Sequence, residues 1–238
     1  SYYLTAAARS MLEKVCRAFK KTVAALNIGS PMDLSWCREF PLSALLIVWQ
    51  GGMESGNALA DVLTGKREPG GRLTDTLPVS YSDWPSSASF GNAKFNNYTE
   101  DIYVGYRYFE TFAKDKALFP FGSGTGYASF EIGAENTEFD GSTVKVTACA
   151  LNTGKRPGRE VLQLYIAPPK GKLPRPSREL AAFCKTAEVA PGERATVTLA
   201  FNTDDIFAFD DKNTCMILAK GNYGLYLGKN VRDADKIG

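Results

Sequence analysis

The sequence predicts an α/β domain, with a mostly parallel sheet and flanking helices as a partial α/β sandwich, followed by an all-β sandwich. Three observations predict this order. Before residue 127, short apolar runs alternate with helical patterns; after it, short strands and turn signals recur; and a glycine-rich connector lies between them at residues 119–126. We therefore expect two domains, one at residues 1–126 and one at residues 127–238. The first domain is expected to lack its beginning.

The first predicted element is a helix over residues 5–20. Apolar side chains between Met11 and Phe19 recur at i, i+1, i+4, i+5 and i+8, which places them on one helical stripe. Thr5 lies where an N-cap is expected, because its hydroxyl can accept a hydrogen bond from a free backbone N–H.

Two buried strands are predicted next, at residues 22–28 and 45–49, with a short polar helix or turn over residues 33–40 between them. Continuous apolar strands alternating with helices favour a parallel sheet covered on both faces. The glycine turn at residues 50–57 then leads into a helix at residues 58–63. In open α/β sheets, ligands bind at this kind of strand-to-helix junction.

The next segments are less regular. Residues 78–100 are rich in Ser, Asn, Tyr and Pro and are interpreted as an irregular surface excursion. Residues 103–112 are dense in aromatic side chains, and we expect an irregular strand there that packs one domain on the other. Glu100 and Asp101 are expected at the surface or between domains.

After residue 127, the strands predicted from alternation lie at residues 144–150, 161–166, 195–201 and 222–228. Turn signals such as Pro191-Gly192 separate them. Several short strands with regular turns are typical of an immunoglobulin-like or fibronectin III-like sandwich.

The charge, histidine content and cysteine spacing of the chain exclude several classes of function. The formal charge is +2 and the Lys and Arg residues are scattered, which argues against a nucleic-acid partner. The chain has no histidine, so it holds neither a Ser-His-Asp triad nor a histidine metal site, and carboxylate chemistry is the natural remaining class. The five cysteines are far apart without CxxC spacing. We expect no metal, no cofactor and no membrane span, and a bacterial cytoplasmic location with reduced thiols.

Six segments together resemble glycoside hydrolase family 3, and they cover most of the chain in the family's order. The first resembles the pattern W-x-x-G-x-E-x-G-x-A-x-A-D-V-L-x-G. The segments are 49–65 (WQGGMESGNALADVLTG), 69–73 (PGGRL), 101–109 (DIYVGYRYF), 119–122 (FPFG, followed by Tyr127 and Phe130), 152–165 (NTGKRPGREVLQLY) and 178–183 (RELAAF).

This resemblance implies part of a retaining β-glucosidase that removes terminal β-linked glucose from oligosaccharides or glucosides. Retaining enzymes hold two carboxyl groups about 5–5.5 Å apart. In the family, the nucleophile is an Asp on a separate barrel domain, which does not fit within these residues. In many bacterial members, the acid/base is a Glu in a loop shortly before the predicted first helix. We therefore expect a segment of a longer enzyme that is inactive alone.

Glu54 matches the acid/base of the family's plant exohydrolases and is the weak catalytic candidate. The alternatives are a carboxylate that lines the site and one that only begins a helix, where the helix dipole favours it. Trp49 and Gln50 are candidate substrate-binding residues, although Trp49 as core packing is preferred. Arg72 and Arg107 are expected to hold loops through ion pairs or hydrogen bonds.

Two other functions are left open. One is a non-catalytic sugar-binding module, and the other is an assembly module that acts through the fibronectin-like domain. A homo-oligomer is left open as well.

Overall fold

The computed structural model describes residues 2–238 of the chain. Its α-helices are α1 (Ala6–Ala18), α2 (Ser55–Leu63) and α3 (Tyr106–Phe112). Short 3-10 helices lie at Ser35–Arg38, Tyr81–Asp83, Lys114–Lys116 and Thr203–Ile206. The strands are β1 (Val23–Leu26), β2 (Ala44–Ile47), β3 (Leu77–Pro78), β4 (Ala117–Phe119), β5 (Phe130–Phe139), β6 (Thr143–Asn152), β7 (Val161–Ala167), β8 (Glu179–Lys185), β9 (Arg194–Asn202), β10 (Ala208–Asp210), β11 (Cys215–Ile217), β12 (Gly224–Gly228) and β13 (Ala234–Lys236).

Helix α1 begins at the predicted cap. The Thr5 hydroxyl accepts a hydrogen bond from the backbone N–H of Ala8 at 3.2 Å, which satisfies one donor of the first turn. The helix ends at Ala18, and the next residue, Phe19, has an extended backbone. Leu12 from the predicted apolar stripe is buried. The predicted helix is confirmed, with its end two residues earlier than expected.

Strands β1 and β2 pair in parallel, in a register that runs from Val23 opposite Ala44 to Leu26 opposite Ile47. Helix α2 follows β2 after a glycine turn. Gly65, the first residue past the C-cap of α2, has a φ of +74°, a left-handed conformation that glycine adopts without steric strain. The predicted α/β organisation is confirmed, but the prediction that both strands are buried is wrong, because Val23 and Ala44 are exposed and β2 has no buried residue.

The described residues divide into two compact units that interleave along the chain. The first unit holds the described residues up to Arg67, with Leu77–Thr99 and Asp115–Phe119. The second unit holds Glu68–Thr76, Glu100–Lys114 and Pro120–Gly238. The boundary near residue 126 stays a prediction.

The second unit contains the predicted sandwich of two antiparallel sheets. One sheet has the order β5-β6-β9 and the other has the order β13-β12-β7-β8. Alternate residues of these strands form one buried core, because successive side chains of a strand point to opposite faces. Its fully buried members include Val146, Ala148, Ala150, Leu162, Leu164 and Ile166. The all-β prediction is confirmed.

The aromatic segment at residues 103–112 forms helix α3, so the predicted irregular strand is wrong. Gly105, with φ of +58°, turns the chain immediately before the helix. The Tyr106 ring stacks on Phe121 at 4.6 Å between centroids, and its hydroxyl accepts a hydrogen bond from the backbone N–H of Leu180 at 2.8 Å. Phe109 is fully buried. Packing within the second unit therefore outweighs the local strand preference of aromatic residues.

Within residues 2–238, no helix combines the length and the apolar character needed to cross a membrane.

Candidate functional site

The candidate site lies at the carboxyl ends of the two parallel strands, in the first unit. The backbone N–H of Val48 donates to the carbonyl of Leu26 at 2.8 Å, so the strands stay paired up to their last residues. The chain segments that follow Leu26 and Ile47 therefore leave the sheet at the same edge. Ligands of open α/β sheets bind at this edge.

Trp49 turns the chain sharply two residues after β2. Its φ of +54° lies in the left-handed region, where a bulky side chain carries strain of order 1–3 kcal/mol. Such strain persists where the surrounding structure fixes the backbone, and it is common at ligand sites. The Trp49 side chain is half-buried.

Gln50 brings the two loops into contact. A Cβ atom added at Gly29 would lie 2.8 Å from the Gln50 side-chain nitrogen Nε2, which is closer than real Cβ atoms approach. The absence of a side chain at Gly29 thus lets the Gln50 amide lie against the loop that follows β1. Gln50 is otherwise exposed, and its amide can donate and accept hydrogen bonds.

Glu54 is the residue immediately before α2 and is exposed. Its carboxylate accepts a hydrogen bond from Nδ2 of Asn57 at 2.6 Å and makes no hydrogen bond to the backbone of the first helical turn. A charged acceptor at this position is favoured by the helix dipole. The arrangement equips Glu54 to accept hydrogen bonds. Whether it also transfers a proton stays a prediction.

A pocket of about 600 Å³ opens at the same edge of the sheet. It is formed by three segments of the first unit: the start of the chain, the loop after β1, and the segment after β3. Its lining residues are Tyr2, Ile28, Gly29, Ser30, Pro31, Met32, Tyr81, Trp84, Ser86, Ser87 and Phe90. The contact of Gly29 with Gln50 joins the pocket to the loop of the predicted site residues.

Hydrogen bonds and ring contacts hold the pocket's aromatic wall. Nε1 of Trp84 donates to the Tyr2 hydroxyl at 3.2 Å, and the Tyr2 and Tyr81 rings meet edge to face at 5.1 Å. The carbonyl of Tyr2 accepts from the backbone N–H of Asp33 at 2.8 Å. Burial raises the pKa of the Tyr2 phenol above its ordinary value, because the charged form is less well solvated there.

Sequence reasoning missed this pocket. The sequence predicts a surface excursion at residues 78–100, because Ser, Asn and Pro favour loops. The available signal was the set of aromatic residues within that polar segment, Tyr81, Trp84 and Phe90. A pocket built from three distant segments is visible only once the sheet brings them together.

The arginines singled out in the sequence lie in the second unit, and each faces a glutamate. Arg72 forms an ion pair with Glu160, and one of its nitrogens also donates to the carbonyl of Gly71 at 2.9 Å. Arg107 lies 3.9 Å from Glu179. Their structural interpretation agrees with these contacts. Among residues 2–238, no group of three or more Cys, Asp or Glu residues is arranged to hold a metal ion.

Comparison with known protein families assigns the chain to a class of carbohydrate-active proteins. The glycosyl hydrolase family 3 C-terminal domain matches residues 1–127, and a fibronectin type III-like domain matches residues 160–231. The chain therefore belongs to glycosyl hydrolase family 3.

Its relatives include a β-glucosidase of Ruminococcus albus, 41% identical over 98% of this chain and 25% of the relative. β-Glucosidase A of Butyrivibrio fibrisolvens is 38% identical over 98% of this chain and 31% of its own length. Among solved structures, a β-glucosidase from Paenibacillus barengoltzii matches with a TM-score of 0.97 at 39% identity, over 100% of this chain and 27% of that protein.

The structure of β-glucosidase 3B from Thermotoga neapolitana in complex with glucose matches with a TM-score of 0.90 at 40% identity. That match covers 98% of this chain and 33% of that protein. The chain thus spans between a quarter and a third of the length of these relatives.

Proposed function

We propose that this chain is part of a retaining β-glucosidase and contributes one wall of its active site. The observation that carries the proposal is the alignment of 98% of the chain, at 41% and 38% identity, with two proteins named as β-glucosidases. The edge of the parallel sheet that bears Trp49, Gln50 and Glu54 is the wall we assign to the site.

The chemistry requires groups beyond this wall. A retaining glycosidase needs a nucleophile and an acid/base about 5–5.5 Å apart. The nucleophile is proposed to be an Asp on a barrel domain of the same enzyme, which the matched C-terminal part does not include. Glu54 is kept as a candidate that accepts hydrogen bonds from substrate hydroxyls, because it is exposed beside the glycine turn.

The proposal is tested by the hydrolysis of 4-nitrophenyl β-D-glucoside. We expect no enzymatic turnover from the 238-residue chain and normal turnover from a longer protein that also carries the barrel. Turnover by the chain alone would mean that its own carboxylates suffice, and it would promote Glu54 to the acid/base. A longer protein that folds but leaves β-glucosides intact would refute the β-glucosidase assignment.

A second candidate function is a sugar-binding module without hydrolytic activity. The observation that favours it is the pocket's lining, which combines aromatic rings with serine hydroxyls and, among the described residues, includes no carboxylate. This candidate would be supported if the chain binds cellobiose saturably and the longer protein that carries the barrel does not hydrolyse β-glucosides.

The proposal extends to location and to oligomeric state. The cysteines are unpaired, which supports a reducing, cytoplasmic location. Assembly into a homo-oligomer is testable by light scattering of the purified protein.

A further inference from the structure

Three rings on the outer side of helix α3 touch one another and form what we call the α3 cluster. The Tyr103 and Phe112 rings meet edge to face at 4.8 Å between centroids, and the Tyr108 and Phe112 rings lie 5.7 Å apart. Phe112 is 61% exposed, and Val104, which follows Tyr103, is 56% exposed. The α3 cluster is therefore a contiguous apolar surface of the second unit.

The opposite side of α3 is already packed within the second unit. Phe109 is fully buried, and the Tyr106 ring stacks on Phe121. Tyr108 and Phe112 are four residues apart, so they lie one helical turn from each other on the same side of the helix. Helix α3 thus has one aromatic side in the core and a second aromatic side at the surface.

The turn before α3 holds the Tyr103 ring in the cluster. The backbone N–H of Tyr103 donates to the carbonyl of Glu100 at 2.8 Å, and Asp101 and Gly105 have φ angles of +49° and +58°. Aspartate is enriched in this left-handed conformation, and glycine adopts it without steric strain. A cluster that is held in place before binding loses little conformational entropy when a partner covers it.

Aromatic rings at the centre of a polar rim are typical of a protein interface. Tyr and Phe are enriched in interfaces, while charged residues are depleted from the interface centre. Contiguous apolar patches on soluble proteins often mark interaction sites. The two basic side chains nearest along α3 are directed to glutamates: Arg107 lies 3.9 Å from Glu179, and Lys114 lies 3.9 Å from Glu110. The rings themselves are left as the apolar centre.

We propose that the α3 cluster docks against an apolar face of a further domain of the longer enzyme, outside these 238 residues. The occupant is argued from length, because the chain covers only 25% and 31% of two relatives that align with 98% of it. Residues 101–109, which carry Tyr103 and Tyr108, are one of the six segments that resemble the family pattern. The existence of the further domain rests on the proposed function.

The test is hydroxyl-radical labelling, read by mass spectrometry at single residues, of the 238-residue chain and of the longer enzyme. We expect the oxidation rates of Tyr103, Tyr108 and Phe112 in the longer enzyme to fall to less than about a third of those in the chain, because an interface centre excludes water. Phe139, 62% exposed at the end of β5, is the reference ring. A fall no greater than that at Phe139 would overturn the docking surface.

Dilution distinguishes a domain of the same polypeptide from a second copy of the enzyme. Protection within one polypeptide does not depend on protein concentration, whereas protection by a second copy is lost on dilution. We expect the three rings to stay protected at concentrations where light scattering shows the longer enzyme to be monomeric. Protection that disappears in the monomer would overturn the proposed occupant in favour of a second copy.

A pair of matched variants gives an independent readout. Phe112→Asp should lower the melting temperature of the longer enzyme by at least about 2 °C more than that of the 238-residue chain, because only the longer enzyme would bury the new charge in an apolar interface. Phe95→Asp is the control, since Phe95 is 60% exposed and lies outside the α3 cluster. An excess loss no greater for Phe112→Asp than for Phe95→Asp contradicts the proposal. A failure of the proposed function is distinct, because it would appear as a longer protein that protects the cluster and does not hydrolyse β-glucosides.

Discussion

Arg72 and Glu160 form an ion pair almost withdrawn from solvent, with side chains 9% and 5% exposed. The pair joins two of the motif segments, the loop of residues 69–73 and the sandwich motif at residues 152–165. The Glu160 carboxylate also accepts from the N–H of Val161 at 2.8 Å, while Nε of Arg72 is buried without a hydrogen-bond partner. The contacts of the Arg72 guanidinium thus go to Glu160 and to the carbonyl of Gly71.

Arg72→Met is expected to lower the free energy of unfolding by about 3 kcal/mol, because it leaves the buried carboxylate of Glu160 without its cation. Urea denaturation followed by circular dichroism measures the change. The double variant Arg72→Met with Glu160→Gln should lose less than the sum of the two single variants. Arg9→Met is the control at the exposed pair of Arg9 and Glu39, where little change is expected. Additive losses at Arg72 and Glu160 would argue against a coupled pair.

Tyr106→Phe tests whether the Tyr106 hydroxyl stabilises the position of α3. Removing the hydroxyl leaves the backbone N–H of Leu180 without the acceptor it has at 2.8 Å, so we expect a loss of about 1–2 kcal/mol. Thermal unfolding provides the measurement. Tyr98→Phe, at a ring 88% exposed, should be neutral, and equal melting temperatures for both variants would show that the hydroxyl of Tyr106 is dispensable.

Asp140 makes the turn between β5 and β6 sensitive to acid. Hydrogen bonds from the backbone N–H groups of Ser142 and Thr143 hold the pKa of the Asp140 carboxyl below its ordinary value. A lowered folded-state pKa adds stability above the unfolded pKa of about 3.9, and this stability is lost as pH falls through the folded pKa.

Asp140→Ala should therefore be less stable than the parent chain at about pH 7, with the difference shrinking below about pH 3. Urea midpoints at several pH values provide the test. A deficit in Asp140→Ala that is constant across pH would mean that packing, not charge, is responsible.

Glu54→Gln separates a hydrogen-bonding role from acid/base catalysis in the longer enzyme. If Glu54 only binds substrate hydroxyls, kcat/KM should fall by less than about tenfold, since glutamine keeps an acceptor oxygen. Loss of a general acid lowers the rate by about 10²–10⁴-fold, and least for glucosides with good leaving groups. A large fall in kcat that spares nitrophenyl substrates would assign the acid/base to Glu54.

Local signals predicted the regular elements well. Thr5 marks the start of α1 because a cap is a local hydrogen bond, and alternation marks β9 because only one face of that strand is buried. The apolar residues of β7 alternate in the same way, although that strand is buried on both faces. Gly65 lies just past the end of α2 with a left-handed backbone, at the position where helices commonly end on glycine. These features depend on neighbours within a few residues.

The features that the sequence did not predict depend on distant contacts. Tyr106 and Phe109 have strand-favouring side chains, yet stacking on Phe121 and complete burial fix them in a helix. The pocket at Gly29 joins segments separated by about fifty residues. The Arg72 partner, Glu160, lies 88 residues away, and no local pattern specifies such a pair.

The central claim is that this chain forms one wall of a retaining β-glucosidase whose nucleophile lies elsewhere in the enzyme. Retaining glycosidases pass through a covalent glycosyl–enzyme intermediate, which a 2-deoxy-2-fluoro-glucoside with a good leaving group can trap. Peptide mass mapping of the trapped longer enzyme tests the claim directly. We predict a label on an Asp outside the 238 residues described by this sequence. A label on any carboxylate within them, or no covalent label on an enzyme that hydrolyses the substrate, would contradict the account.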